Sequence, residues 1–249
     1  MSLVLTAAME GNTPTSHALH EVEANTRPGR RFPPTTERLL DEDLKTLATH
    51  LPSASHGVAI TREFPGGRGV ADVVAVTRWE EQLRTRLETR LPFLRNETDC
   101  AVVSALSARQ TRTSASLGKR LGMSEEQVIR RVRALAVSGH VEVHGTGYRR
   151  SRGLEPIGRT YALEAKVSDW QQGIRQALRY STWCDAAAVV LLKPPRDVDE
   201  VRARCSAFDL GLAFGDTWVT RPRLGRPNAG LRLAMSEQWA NLMMESKAL

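Results

Sequence analysis

Apolar residues fall along this chain in two rhythms. Short runs at 57–64, 70–76, 161–166 and 186–192, rich in Val, Ile, Ala and Leu, have the length of strands. The first two are joined by Pro65-Gly-Gly-Arg-Gly69, whose residues favour a tight reversal and predict a strand pair. Elsewhere the apolar positions recur three and four apart, as on one face of a helix. Thr36–His50 carries Leu40, Leu44 and Leu47 on one side, and Trp79–Leu91 is a charged amphipathic helix. Val198–Ala207 predicts a helix, 210–214 and 218–220 predict strands around Gly215-Asp216, and Ser236–Lys247 predicts a last helix packing Trp239, Leu242 and Met243. Residues 10–34, rich in Thr, Pro, Asn, Gly and Arg, show no period and predict a loose or wrapping arm. Arg221-Pro-Arg-Leu-Gly-Arg-Pro227 is a basic loop, and no internal repeat is present.

The middle of the chain has a rhythm of its own. Helical patterns cover Asp99–Ala108, Ser114–Leu121 and Ser124–Val137, with Gly122-Met123 as a turn. Ser124 is placed to cap the third helix, and Glu125 and Glu126 suit its first turn. Val128, Val132 and Leu135 face inward, while Gln127, Arg130, Arg131 and Ala134 line the outward side. Val141-Glu-Val-His-Gly-Thr-Gly-Tyr148 then predicts a hairpin. Three helices followed by a basic hairpin resemble a winged helix-turn-helix module. The resemblance implies that the third helix enters a DNA major groove, with Gln127, Arg130 and Arg131 as base readers and Arg149 and Arg150 on phosphates. Residues 95–150 hold ten Lys or Arg against five Asp or Glu, a net +5, which suits a polyanion. Such modules also mediate protein contacts, and an arginine-rich face is also what a solvated surface looks like.

Two strands carry the candidate chemistry. In Tyr161-Ala-Leu-Glu-Ala-Lys166, alternation puts Glu164 and Lys166 on one face and Leu163 and Ala165 on the other. In Val70-Ala-Asp-Val-Val-Ala-Val76, Asp72 is the one carboxylate among small apolar residues, a costly place for a charge without a partner. Asp72 followed by Glu164-Ala-Lys166 resembles the D…(D/E)-x-K signature of the PD-(D/E)xK, or restriction-endonuclease-like, nuclease superfamily. The helical segment after it, 167–180, places Asp169, Gly173, Gln176 and Tyr180 on one stripe and Trp170, Ile174, Ala177 and Leu178 on the apolar side. Gln176 and Tyr180 match the Q-x-x-x-Y pattern of several branches, and the strand-like run Ala186–Leu192 follows in the superfamily's order. The chain departs from the pattern in having Ala71 before Asp72 instead of Pro, and in the long insertion between Asp72 and Glu164.

The resemblance implies an α/β (α+β) core, a restriction-endonuclease-like mixed sheet flanked by helices and interrupted by the winged insertion. It implies Mg²⁺ or Mn²⁺ held by Asp72, Glu164 and the main-chain carbonyl of Ala165, with Lys166 orienting water or stabilising charge and Gln176 positioning water or phosphate. Some branches add an acid from the first helix, where Glu37 and Asp41 are the local candidates. A surface ion pair between Glu164 and Lys166, and an Asp72 bonded only to main-chain amides, are the plain structural alternatives.

The remaining composition refines this picture. A formal charge of +7 over 249 residues favours a polyanionic partner or anionic surface. Cys100, Cys184 and Cys205 have no zinc-like spacing and predict buried free thiols in a reducing compartment. His140 and His144 are four residues apart, but near a predicted hairpin rather than on a helix, so they do not predict a metal site. The first residues lack the marks of a leader and no apolar run has membrane length, so a cytoplasmic protein without a membrane partner is expected. The expected organisation is an arm at 1–34, a nuclease-like core of 35–95 and 151–233, a winged module at 96–150, and a terminal helix at 234–249. The expected activity is metal-dependent DNA endonuclease; the other reading is a non-catalytic DNA-binding protein or transcriptional regulator retaining the nuclease scaffold. RNA is a third substrate class, disfavoured because its A-form major groove is too narrow for a helix. One active site nicks one strand, so double-strand cutting implies a homodimer.

Overall fold

The computed structural model describes residues 19–23 and 40–246. Its centre is a seven-stranded mixed sheet in the order β1-β2-β3-β7-β8-β9-β10. These strands are β1 (Leu19–Glu23), β2 (Val58–Gly66), β3 (Gly69–Thr77), β7 (Arg159–Lys166), β8 (Ala186–Leu191), β9 (Gly211–Phe214) and β10 (Thr217–Thr220). β2, β3 and β7 run antiparallel to their neighbours in that set; β7, β8 and β9 are mutually parallel. β1 lies parallel on the outer edge of β2, so part of the segment expected as a loose or wrapping arm is a strand. Its five residues are too few to show a period, and the ladder with β2 supplies what propensity does not.

The sheet is buried on both faces. On one, α1 (Asp41–Thr49) sets Leu44 and Leu47 against Val58, Ile60, Val73, Leu163 and Val190. On the other, α6 (Trp170–Tyr180) and α7 (Val198–Ala207) cover Ala162, Val189 and Leu212 with Ile174, Ala177, Val201 and Cys205. Of the predicted first helix, residues 36–39, Glu37 among them, lie outside the described residues.

The middle segment forms α3 (Glu97–Ala105), β4 (Arg112–Thr113), α4 (Ser114–Leu121), α5 (Glu125–Val137), β5 (Val141–His144) and β6 (Gly147–Arg150). Its three strands make a separate antiparallel sheet, β4-β6-β5. Local chemistry sets the helix ends. Asn96 caps α3 by accepting from the Thr98 N–H at 2.8 Å, starting that helix two residues before the predicted Asp99, and Leu106 leaves it in an extended conformation. α4 ends at Gly122 in the left-handed region, φ 66°, which glycine adopts freely. Ser124 and Gln127 form a reciprocal capping box at the start of α5.

α8 (Ala229–Glu245) begins seven residues earlier than the predicted Ser236, capped by Asn228. It is buried on almost every side, including Arg232, Ser236 and Glu237, so no polar stripe marks its first two turns. α8 packs along α3, and a Cβ on Gly230 would stand 2.8 Å from the Ala101 Cα. The apolar interior therefore runs from the main sheet through α8 into Leu117, Val128, Val132 and Leu135 of the middle segment.

α2 (Glu80–Glu88) leads into that segment, and its Arg86, 1% exposed, turns inward. Arg86 meets Glu237 of α8 in a two-pronged pair at 2.7 Å on each side. Its remaining donors reach the carbonyls of Leu91 and Pro92 and the hydroxyl of Thr89. Glu237 also accepts the Leu94 N–H at 2.8 Å. The linker is thus held from the core, from α8, and from His140, whose Nε2 bonds the Pro92 carbonyl at 2.9 Å.

Candidate functional site

The register of β3 on β7 decides the geometry. Their ladder runs from Thr77/Arg159 to Val73/Leu163, and one more step sets Asp72 across from Glu164. There the main-chain pairing gives way to a side chain: Asp72 Oδ2 accepts the Ala165 N–H at 2.8 Å. The two carboxylates predicted to meet are thus neighbours, although a whole folded segment separates them in the chain. Beyond this point the Tyr180 hydroxyl lies 2.7 Å from the Val70 carbonyl and 2.7 Å from Glu164 Oε2, its one proton shared between the two acceptors.

Glu164 is fully buried and Lys166 is 7% exposed, both on the face beneath α6. Lys166 Nζ donates to Glu164 Oε1 at 2.6 Å and to the Ala165 carbonyl at 2.9 Å. The other oxygen, Glu164 Oε2, accepts from Tyr180 at 2.7 Å. Burial, and then the Asp72 charge, push the Glu164 carboxyl up to about 7 against the opposing pull of Lys166 and Tyr180. Burial and the adjacent Glu164 drive the Tyr180 phenol far up, so it stays a neutral donor.

α6 reaches this close because of Gly173: a Cβ there would lie 2.8 Å from Val189 Cγ1 and 3.3 Å from Lys166 Cγ. Asp169 starts the helix by accepting the Gln172 N–H at 2.9 Å. Gly173 and Tyr180, expected on a stripe apart from the apolar side, belong to the buried face with Ile174 and Ala177, while Trp170 and Leu178 flank it half-buried. Gln176 is half-buried, and its Oε1 is enclosed without a hydrogen-bond partner among the described residues.

Asp41 stands elsewhere. It bonds Arg62 at the α1 side of the sheet, where Glu21 joins the same guanidinium, and so does not supply the first-helix acid. The acid that the sequence did not flag is Glu63. Pairs Arg62/Val73 and Phe64/Ala71 bracket it opposite Asp72, and its φ of 50° puts it in the left-handed region. A glutamate between Arg62 and the buried Phe64 carries no mark of that conformation, which is why pattern reading passes over it.

Could the predicted metal fit these residues? Among the described residues no cluster of three or more Asp, Glu, His or Cys side chains is arranged to hold a metal ion. The available set is two carboxylates and the Ala165 carbonyl, all oxygen, which suits a Mg²⁺-like ion that keeps several waters. Two of the three, Glu164 and the Ala165 carbonyl, presently accept from Lys166, so an incoming cation must displace the ammonium from them. A buried carboxyl raised towards neutrality beside a second carboxylate is also a place where a cation would relieve repulsion.

The predicted nucleic-acid contacts lie on the middle segment in unequal settings. Arg130 and Arg133 are exposed on α5. Gln127 is engaged in the capping box, its Oε1 accepting the Ser124 N–H at 3.0 Å, and Arg131 pairs with Asp99 of α3 at 3.3 Å. Arg149 is half-buried on β6 opposite Glu142, and Arg150 pairs with Glu155 at 2.5 Å. His140 is buried between Ser138 and Pro92, and all three cysteines are free and buried. Among the described residues no helix is long and apolar enough to cross a membrane. No family model matches the chain, and no match was found among curated proteins or solved structures.

Proposed function

We propose that this protein is a metal-dependent endonuclease that hydrolyses phosphodiester bonds in DNA. The observation that carries the reading is the meeting of Asp72, Glu164 and Lys166 around the Ala165 main chain. The order α1, β2, β3, β7, α6, β8 supports a restriction-endonuclease-like core. The run of helix, strand, two helices and two strands in the middle segment, with Arg130 and Arg133 exposed, supports a winged helix-turn-helix reading.

Asp72, Glu164 and the Ala165 carbonyl would hold Mg²⁺ or Mn²⁺. Bound there, the ion supplies Lewis acidity and a more acidic water. The residues of the chain do the rest. Lys166, drawn from Glu164 and Ala165, presents its ammonium to the non-bridging oxygens, where charge grows in the transition state. Tyr180 keeps Glu164 oriented from the opposite side. Gln176 offers an unsatisfied carbonyl oxygen to an O–H donor such as the attacking water. The enclosed environment strengthens each of these interactions.

Lys166 also supports a second reading. An ammonium that already satisfies two of the three oxygens is what a retained, non-cutting scaffold would display. Plasmid incubated with Mg²⁺ or Mn²⁺ distinguishes the two readings. Nicking by the parent that disappears in Asp72→Ala and Lys166→Ala supports the enzyme; retained DNA binding without cutting under either metal supports the scaffold. Linear product at the first turnover indicates two protomers acting together.

A further inference from the structure

The basic loop that follows β10 has no part in the site above. Residues 221–228 have no regular secondary structure, yet the loop is held at three points. The Arg223 N–H donates to the Asp209 carbonyl at 3.2 Å, that of Gly225 to Asp185 at 2.8 Å, and that of Asn228 to Thr182 at 2.9 Å. Pro222 is buried, its Cδ where a Cβ on Gly211 would come within 2.8 Å. Between these anchors Arg221, Arg223 and Arg226 are exposed. Arg179 is exposed in the last turn of α6, the turn whose carbonyl receives the Thr182 hydroxyl.

Of these four arginines only Arg223 pairs with a carboxylate among the described residues, Asp209, and that pairing is a 3.5 Å contact between largely exposed groups. Such a contact is weak and easily exchanged. A rigid loop that presents guanidinium groups forgoes little entropy on meeting a ligand, and guanidinium forks match phosphate oxygens. The loop abuts Thr182 and Asp185, immediately beyond Tyr180, whose hydroxyl holds Glu164.

We propose that Arg179, Arg221, Arg223 and Arg226 form a second, sequence-independent clamp for the phosphate backbone of duplex DNA, carried by the core itself. This rests on the DNA-cutting reading and extends it, since a strand crossing the site would be gripped by the core as well as by the middle segment. Backbone contacts position a duplex without reading its bases. The overall charge of +7 supports nucleic acid as the occupant.

The test uses the full chain, a fluorescent duplex and no divalent metal, with binding followed by anisotropy across a salt series. The triple variant Arg221→Gln, Arg223→Gln, Arg226→Gln is compared with the parent and with Arg130→Gln, Arg133→Gln. Each lost phosphate contact lowers the slope of log affinity against log salt by about 0.9, so the triple variant is expected to lose about 2 to 3 from the slope. Its melting temperature should stay at the parent's value, since these side chains are exposed. An unchanged slope in the triple variant overturns the clamp and leaves the cutting reading standing. A parent that fails to bind duplex overturns both. Binding of the parent to phosphatidylserine vesicles but not to duplex, lost in the triple variant, assigns the loop to an anionic membrane and overturns the proposal.

Discussion

Among the described residues two carboxylates are wholly buried, each beside a cation, and they are held in opposite ways. Glu237 meets the planar fork of Arg86 at 2.7 Å on both oxygens and takes a main-chain N–H besides. Arg86 spends its other donors on three oxygens of the linker and stacks 4.9 Å from the Phe93 ring centre. Glu164 meets only the point charge of Lys166 and one phenol, and a second carboxylate stands next to it. The first arrangement is closed and leaves nothing for a ligand to improve. The second sets two carboxylates side by side, and Glu164 stays raised to about 7 even with Lys166 bonded to it, a repulsion that a divalent cation would ease further. Burial of a charge pair therefore separates into a brace and a candidate reaction centre according to what surrounds the acid.

The sharpest way to break that comparison is to remove each cation in turn. Lys166→Ala should lower metal-dependent nicking by about 10²- to 10³-fold or more, as expected when a group that stabilises transition-state charge is lost. Initial rates on supercoiled plasmid measure it, and nicking at the parental rate would return Lys166 to a structural role. Arg86→Ala should do the reverse. Leaving Glu237 buried and uncompensated costs about 3–5 kcal/mol of stability, read from urea unfolding, while the folded fraction still cuts. Arg86→Met with Glu237→Leu should recover only part of that loss, since an apolar pair removes the uncompensated charge but leaves the Leu91 carbonyl and the Leu94 N–H without their partners.

Acidity sharpens the same contrast. The folded state raises the Glu164 carboxyl to about 7, whereas an unfolded chain releases that proton near 4.3. The folded protein thus holds the proton more tightly. Its contribution is fully present below about pH 4 and is lost as pH rises through about 7, by up to about 4 kcal/mol at 1.36 kcal/mol per unit. Unfolding free energies of the parent and Glu164→Gln, measured from pH 3 to about 9, should differ in slope inside that window and agree in slope below and above it. Saturating Mg²⁺ should stabilise the parent more at pH 8 than at pH 5, because the ion competes with the proton. A metal effect that is the same at both values would detach the ion from Glu164.

The smallest expected effect is at Tyr180. Tyr180→Phe removes the hydroxyl that serves both Glu164 and the Val70 carbonyl. About 1–3 kcal/mol of stability should be lost from the acceptors left buried, with a modest fall in nicking. A larger fall in nicking than Lys166→Ala would move Tyr180 from orienting Glu164 to the chemistry itself.

How much of this was legible before folding varies residue by residue. α4 and α5 were readable nearly to their ends, because Ser124 and the 3–4 spacing of Val128, Val132 and Leu135 act on their own neighbours. The shared face of Glu164 and Lys166 followed from strand alternation. α8 was half hidden, since a helix enclosed on nearly all sides, with Arg232 and Glu237 turned inward, has no amphipathic stripe to detect. Arg86 looked like one more charge on a charged helix. Gln127 and Arg131 looked like outward readers, yet one closes a capping box and the other pairs with Asp99, leaving Arg130 and Arg133 as the exposed cations of α5.

What the amino-acid order alone determined are the properties that rest on near neighbours: caps, turns, periodicities, the alternation of β7, and the surplus of positive charge. Tertiary structure decided which distant groups meet: Asp72 with the Ala165 main chain, Arg86 with Glu237, Glu63 across from Asp72, and α3 along α8. The reason is physical. A buried charge takes its partner, and so its acidity, from whatever the fold brings within a few ångströms, and that choice is made by strand register and helix packing over separations that no local pattern records.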